Sequence, residues 1–106
     1  MKAGELRHRV TLQEATETRD TTGAIVTVYV DRATVWGAVE PLTGREFFQA
    51  QAVNAETTTR IRIRYWQGIV PKMRATWDGH TYDIQEVREV ESRRRELHLM
   101  CKELVV

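Results

Sequence analysis

The sequence contains little that would support a disulfide framework, a signal peptide or a membrane span. Cys101 is its only cysteine, which excludes an internal disulfide and a zinc site built from several thiolates. Its place in the alternating run LHLMCKE predicts a small buried side chain. No apolar run approaches the length of a signal peptide or a membrane-spanning helix, so we predict a cytoplasmic protein with no membrane contact. A chain of 106 residues is expected to form one domain, residues 1–106.

The chain also lacks an excess of charge of either sign. Sixteen basic and 15 acidic side chains give a formal net charge of +1. Proteins dedicated to binding nucleic acid normally carry a clear cationic excess. The balance of charge therefore argues against that class.

Groups that carry enzymatic chemistry are scarce. Ser92 is the only serine and has no evident base beside it. The histidines, His8, His80 and His98, have no second metal ligand at a useful spacing, and no glycine-rich phosphate loop opens a helix. We therefore predict that the protein is not an enzyme and holds neither a metal nor a cofactor.

What the sequence does contain is a series of short segments with the two-residue period of β-strands. They include ELRHRVTLQEA, TRIRIRYW, KMRATW, TYDIQEVREVE and RRELHLMCKEL. AIVTVYV and ATVWGAVE are read as two strands or as one strand broken near Asp31 and Arg32, and a bulge near Gln85 and Glu86 restores the phase of the next-to-last strand. We predict a mainly β fold, a small β-barrel of about six antiparallel strands with long loops and one inserted α-helix.

The helix is predicted from the segment LTGREFFQAQAVNAE, over residues 44–54. Thr43 and Glu46 have the spacing of a capping box, in which the hydroxyl and the carboxylate satisfy free backbone N–H groups. Phe47 or Phe48, with Ala50 or Gln51, would form the apolar stripe.

Arginine occupies every second position of the run TTTRIRIRYW. Ile61, Ile63 and Tyr65 are expected to face the core, and Arg60, Arg62 and Arg64 the other side. Three interpretations remain open: a solvated face paired with glutamates such as Glu86 or Glu89, a subunit interface that binds carboxylates of a neighbour, and a phosphate contact with Trp66 as a stacking group.

Six motifs in order, AGELRHRVTLQ, a D..G turn, VWGAVEPLTGRE, RIRIRYWQGIVPKMR, YDIQEV and LHLMCKE, resemble the head-tail joining (head-tail adaptor, head-closure) proteins of tailed bacteriophages. The resemblance covers nearly the whole chain. Two positions depart from the family pattern: Tyr29 stands near the place of a tryptophan, and Gly37 follows Trp36 where the family has alanine.

The resemblance implies a small β-barrel that forms a ring with copies of itself at the head–tail interface of the virion, after assembly in the cytoplasm of the host bacterium. Its implied partners are the portal and adaptor proteins, a tail completion or tail terminator protein, and genomic double-stranded DNA passing without sequence specificity. Residues 6–10, Tyr65 and Met73 match family segments. The implied interface residues are Gly44, Arg45, Glu46, Arg60, Arg62, Arg64 and Arg74, and possible contacts with channel DNA are Arg60, Arg62, Arg64 and Trp66.

Two polar segments, residues 14–22 and 67–72, are expected to be loops that dock a partner or gate the channel. The alternative function is a small β-barrel that binds single-stranded nucleic acid, with a basic groove for phosphates and aromatic side chains for bases. Steep salt dependence of binding would favour that alternative.

Overall fold

The computed structural model describes residues 6–64, 68–69, 72–90 and 96–104. The described part of the chain contains six strands and one helix. These are β1 (His8–Arg19), β2 (Ile25–Pro41), α1 (Gly44–Val53), β3 (Thr59–Arg64), β4 (Arg74–Trp77), β5 (His80–Val90) and β6 (Glu96–Leu104).

The strands close into a small barrel. Each is hydrogen-bonded to two neighbours in the order β1-β2-β3-β6-β5-β4, and every pair is antiparallel. Closure pairs backbone groups that an open sheet would leave at its edges. The predicted mainly β fold with one inserted helix is confirmed.

Alternation along the strands builds the core. Ile61 and Ile63 of β3 are fully buried, as their two-residue spacing predicts, and β1, β5 and β6 contribute Val10, Leu12, Ile84, Leu99 and Cys101. Cys101 is a small buried side chain, as predicted, and burial raises the pKa of its thiol.

Two bulges set the phase of the longest strands. Leu12 pairs with Ala33 and Gln13 with Asp31, so Arg32 is the extra residue on β2. The predicted break near Asp31 and Arg32 is therefore a bulge inside one continuous strand. A second register shift leaves Gln85 extra on β5, where the sequence predicted a bulge.

Beyond the barrel, β1 and β2 continue together as a two-stranded ribbon, which we define as residues 14–19, the connecting turn and residues 25–31. In this part the described residues of β1 and β2 pair only with each other. The molecule measures 48 × 27 × 27 Å along its principal axes. The prediction of a loop over residues 14–22 is wrong for most of that segment, because residues 14–19 are paired strand despite their polar composition.

Asp20 holds the turn at the tip of the ribbon. Its carboxylate accepts hydrogen bonds from the Thr22 hydroxyl and from the backbone N–H groups of Thr22 and Ala24. These bonds, first that from the Thr22 hydroxyl and then that from Ala24, lower the pKa of Asp20. Gly23 has a φ of +85°, a left-handed conformation that side chains disfavour.

Helix α1 connects β2 to β3 and packs on a second small cluster through Ala50, together with Leu42 and Met100. Phe47 contacts this cluster, whereas Phe48 is 73% exposed. The helix ends one residue before its predicted boundary. The predicted capping box is wrong: Thr43 is the N-cap but makes no capping hydrogen bond through its side chain.

Candidate interaction surfaces

The arginine row of β3 lies on the outer face of the barrel, as the period of two predicts, and two of its members are held by one carboxylate. Glu40 Oε1, on the neighbouring strand, lies 3.1 Å from Arg60 Nε and 2.9 Å from Arg62 Nε. Arg60 Nη1 also lies 3.2 Å from Glu46 Oε1, at the start of α1. Glu46 therefore bonds to an arginine rather than to the helix N-terminus.

The network continues to β6 through Arg62. Arg62 Nη1 is 3.6 Å from Glu96 Oε1, and the same oxygen is 2.9 Å from His98 Nε2. Glu96 is buried, and two cationic or hydrogen-bonding neighbours compensate its loss of water. The interpretation of a face paired with glutamates thus describes Arg60 and Arg62.

The glutamates are not those that the sequence suggested. Glu86 pairs with Arg88, with Arg88 Nε 2.9 Å from Glu86 Oε1, and Glu89 is an exposed residue of β5. Glu40 was missed because its alignment with the arginines depends on the register between β2 and β3, in which Glu40 pairs with Arg60. A sequence without known register does not show that pairing.

Arg64 differs from the other two arginines of the row. It is exposed and forms no ion pair with a carboxylate of the described residues. Ile63 pairs with Gly37, so the register brings Arg64 opposite Trp36 on the outer face. Its phase is that of Arg60 and Arg62, on the outer face of β3.

Trp36 is 53% exposed, although it is one of the largest apolar side chains of the protein. Arg9 pairs with it across β1 and β2, and the Arg9 guanidinium carbon lies 4.7 Å from the centroid of the ring. Arg9 contacts the ring, and continuation of the β2–β3 register places Arg64 next to Trp36 on the other side. We call Arg9, Trp36 and Arg64 the Trp36 patch.

Sequence reasoning missed this patch, although a signal was present. Trp36 is out of phase with Val35 and Gly37, and Arg9 is out of phase with Val10, which places both on the outer face of their strands. An aromatic residue in an outward phase was the sign of an exposed ring.

The remaining predicted interface residues are dispersed. Gly44 and Arg45 are exposed at the start of α1, and Gly44 has a φ of +56°. Arg74 lies on β4, which pairs with the edge of β1 opposite to β2. Its Nε is 2.8 Å from Asp83 Oδ1, and its guanidinium carbon is 3.8 Å from the centroid of the Tyr29 ring. Arg74 therefore braces the base of the ribbon against β5.

Several predicted residues lie outside the part of the chain that the structure describes. They are Tyr65, Trp66, Ser92 and half of the loop at residues 67–72, namely residues 67, 70 and 71. Within that loop, Ile69 is buried and Lys72 is exposed with a φ of +80°.

The ribbon carries an unusual set of exposed apolar side chains. Val26, Val28 and Val30 are 40%, 41% and 50% exposed, and we call them the valine row. They pair with Thr18, Thr16 and Glu14. Scattered apolar side chains are normal on a surface, but three in register on one face form a stripe of the kind that protein partners cover.

The histidines of the described residues have structural contacts. His8 Nδ1 accepts a hydrogen bond from the Val39 backbone N–H at 3.1 Å, and the His8 ring lies 4.2 Å from that of Trp77. His80 Nδ1 lies 3.4 Å from Glu103 Oε1. In the described ranges, no three potential metal ligands come together.

The same ranges contain no helix that is long and apolar enough to cross a bilayer.

Comparison with known proteins identifies the family to which the chain belongs. A family model described as phage head completion protein matches residues 1–104. The chain belongs to the phage head completion protein family. The resemblance found in its sequence motifs is confirmed, and the protein is a structural component of the phage virion. Membership indicates a structural rather than an enzymatic role.

Two solved structures share the fold of this head completion protein. The solution structure of protein SF1141 from Shigella flexneri 2a is 30% identical, with a TM-score of 0.74 over 97% of this chain and 96% of that one. A chain from the virion of a native gene transfer agent particle is 18% identical, with a TM-score of 0.63 over 95% of this chain and 97% of that one. No curated protein matches the sequence.

Proposed function

We propose that this head completion protein forms a ring at the head–tail connector, below the portal and adaptor proteins, and there continues the DNA channel and supplies the surface on which the tail docks. The observation that carries the proposal is the ribbon, which projects from a closed barrel and exposes the valine row. Apolar side chains held in register on a projecting ribbon suit a permanent contact with another protein.

The barrel suits a part that is held between two larger assemblies. Closure leaves few exposed strand edges in its wall, and surface elements such as the ribbon and α1 can contact partners while the barrel keeps its shape. The partners we propose are copies of the chain, the portal and adaptor proteins above, and a tail completion or tail terminator protein below.

The arginines divide into two roles in this proposal. Arg60, Arg62 and Arg74 are bonded to carboxylates of the same chain and stabilise the wall of the barrel. Arg45 and Arg64 are exposed and have no such bond among the described residues, so they are the better candidates for contacts with a neighbour. We propose that DNA passes the ring without sequence-specific contacts, consistent with a net charge of only +1.

Light scattering coupled to size exclusion tests the proposal. The chain is run alone, then with the portal and adaptor proteins encoded beside it, and then with single-stranded DNA at low and high salt. We expect the chain to join the portal complex at the stoichiometry of a ring and to leave the DNA unbound. Tight, salt-sensitive binding of DNA with no affinity for the portal complex would overturn the proposal and favour the nucleic-acid-binding alternative.

Charge reversal tests whether the exposed arginines contact a neighbouring protein. The variant Arg45→Glu with Arg64→Glu is expected to unfold at the wild-type urea concentration but to join the portal complex at least about tenfold more weakly. Arg88→Glu, at another exposed arginine, is the matched control and is expected to bind as the wild type does. Wild-type binding by the double variant would remove both arginines from the interface.

A further inference from the structure

The valine row and the Trp36 patch lie on opposite faces of the same hairpin. Val10 and Leu12 of β1 face the core, so Thr16 and Thr18, in the same phase, continue that side along the ribbon, and the valines opposite them share it. Trp36 pairs with Arg9, which is in the opposite phase and faces outward. The bulge at Arg32 creates this switch on β2, because it moves the core-facing side from odd to even residue numbers.

The two surfaces are also far apart along the strand. Val28 and Trp36 are separated by eight residues, which corresponds to about 26 Å of extended chain. A single molecule therefore cannot bring its own valine row onto its own Trp36 patch. Contact between the two surfaces needs two molecules.

Charge favours a contact between unlike surfaces over a contact between like ones. Residues 14–32, the ribbon with its bulge, contain four acidic and two basic side chains, a net charge of −2. The Trp36 patch contributes two exposed arginines around an aromatic ring. Two ribbons placed together, or two patches placed together, would bring like charges close, whereas a ribbon on a patch pairs opposite charges.

The apolar side chains of the two surfaces favour the same contact as their charges do. Tryptophan and arginine are the side chains that most often dominate binding at protein interfaces, and a row of valines offers an apolar surface on which an exposed indole loses its contact with water. The exposed fraction of Trp36 and that of each valine are both large enough to gain from burial.

We propose that in the assembled ring the valine row of one subunit packs on the Trp36 patch of the next. This inference rests on the ring of the proposed function and names the contact that builds it. The contact is heterologous: each subunit offers its ribbon on one side and its patch on the other, an arrangement that closes into a ring when the rotation per subunit divides the circle.

Disulfide trapping between two variants tests the contact. One chain carries Val28→Cys in the valine row, and the other carries Thr34→Cys, an exposed position in the same outward phase as Trp36. The native Cys101 is fully buried and does not compete. Both chains are produced together in assembling phage, and purified particles are oxidised and analysed on a non-reducing gel.

We expect covalent dimers from the mixture and almost none from either variant alone. The matched control is Thr27→Cys, on the opposite face of the ribbon, which is expected to give about tenfold fewer dimers with Thr34→Cys. Adding Trp36→Ala to the Thr34→Cys chain is also expected to lower the yield about tenfold.

Three results would overturn the inference. Dimers of the Val28→Cys chain alone would show that ribbons pack on each other. Particles that contain both chains but give no mixed dimers would place the subunit contact elsewhere, and the proposed function would stand. Absence of the wild-type chain from tailed particles would overturn the inference and the proposed function together.

Discussion

At the scale of single residues, Glu40 is the residue on which the arginine face depends. It is the shared acceptor of Arg60 and Arg62, and all three side chains are about one-third exposed or less. Pairs that are partly removed from water and hydrogen-bonded contribute more to stability than isolated surface pairs do. The stability of this face therefore rests on one carboxylate.

Replacing that carboxylate is expected to be costly. Glu40→Gln leaves two neighbouring guanidinium groups without their shared countercharge, and we expect the free energy of unfolding to fall by about 1–2 kcal/mol. Urea denaturation measures the change. Glu86→Gln, which breaks the more exposed pair with Arg88, is the control and should cost less than about 0.5 kcal/mol. Equal losses would show that the shared carboxylate has no special role.

Tyr82 is expected to make the protein sensitive to alkali. Burial, and then the nearby charge of Glu103, raise the pKa of Tyr82 from 10.0 to about 12. A raised folded-state pKa contributes stability that is complete below pH 10 and is lost as the pH rises towards 12. The measurement is urea denaturation across this range, and Tyr82→Phe should show a shallower decline.

The comparison of the wild type with Tyr82→Phe needs one precaution. Burial also raises the pKa of the Cys101 thiol, and its ionisation would destabilise the fold in the same direction. Both proteins should therefore carry Cys101→Ala. If the two then lose stability in parallel above pH 10, Tyr82 does not cause the decline.

At the scale of single elements, the sequence predicted the strands and the bounds of the helix well and the capping of α1 wrongly. Periodicity located β3, which alternates strictly, as well as β4 and β6. The expected bulge appeared at Gln85, and the expected break near Asp31 and Arg32 is a bulge within one strand. The capping box failed because the Glu46 carboxylate has a stronger partner in Arg60, a residue 14 positions away. A local motif cannot show a competitor that arrives from another strand.

Because Thr43 makes no capping bond, its removal should matter little. We expect Thr43→Ala to change the free energy of unfolding by less than about 0.5 kcal/mol, whereas loss of a working N-cap costs about 1 kcal/mol. Thermal or urea unfolding decides between the two values. A loss of about 1 kcal/mol or more would indicate that the hydroxyl caps the helix in solution.

Gly37 is required by the close approach of β1 and β3 to β2. A Cβ atom there would lie 3.0 Å from Ile63 Cγ2, 3.1 Å from the Arg62 carbonyl oxygen and 3.2 Å from Val10 Cγ2. These contacts leave no room for a side chain at this position and explain why the chain has glycine here.

Gly37→Ala is therefore expected to destabilise the barrel by about 1–3 kcal/mol, since one of the three contacts is with backbone that cannot rotate away. Thr27→Ala, an exposed substitution elsewhere on β2, serves as the control and should cost less than about 0.5 kcal/mol. If Gly37→Ala unfolded at the wild-type urea concentration, the strands would have to separate more easily than their packing suggests.

At the scale of the whole molecule, the sequence could predict the fold but not the surfaces. Mainly β composition, one helix and the family motifs lead to the architecture. The exposure of the valine row could not be predicted, because apolar β-branched residues usually indicate burial. Among the described residues, β1 pairs with β4 only as far as Gln13, so the barrel does not enclose the ribbon beyond that point.

The contrast between the closed barrel and the projecting ribbon predicts a gradient of stability within the molecule. Amide protons of the barrel strands, such as those of Ile61 and Leu99, should exchange with solvent only on global unfolding. Those of the ribbon, such as the amides of Thr16 and Val28, should exchange much faster, since a two-stranded ribbon without a covered face is marginally stable. Hydrogen exchange followed by mass spectrometry measures both classes.

Assembly should reduce the difference in amide exchange rate between the ribbon and the barrel strands. When the chain is bound in the connector, peptides from the ribbon are expected to gain protection, and those from β3 and β6 to change little. Uniform protection in the free chain would contradict the gradient, and an unprotected ribbon in the assembled particle would contradict its role as a contact.

The bulge at Arg32 also makes the ribbon adjustable in length. Adding one residue to each strand would lengthen it by about 3.3 Å but turn the next residues to the other side, whereas adding two residues to each restores the original side and adds about 6.6 Å. Arg32 already fixes the phase where the ribbon leaves the barrel, so such additions need not disturb the core. The ribbon can therefore be lengthened in steps of two residues per strand while the barrel stays the same.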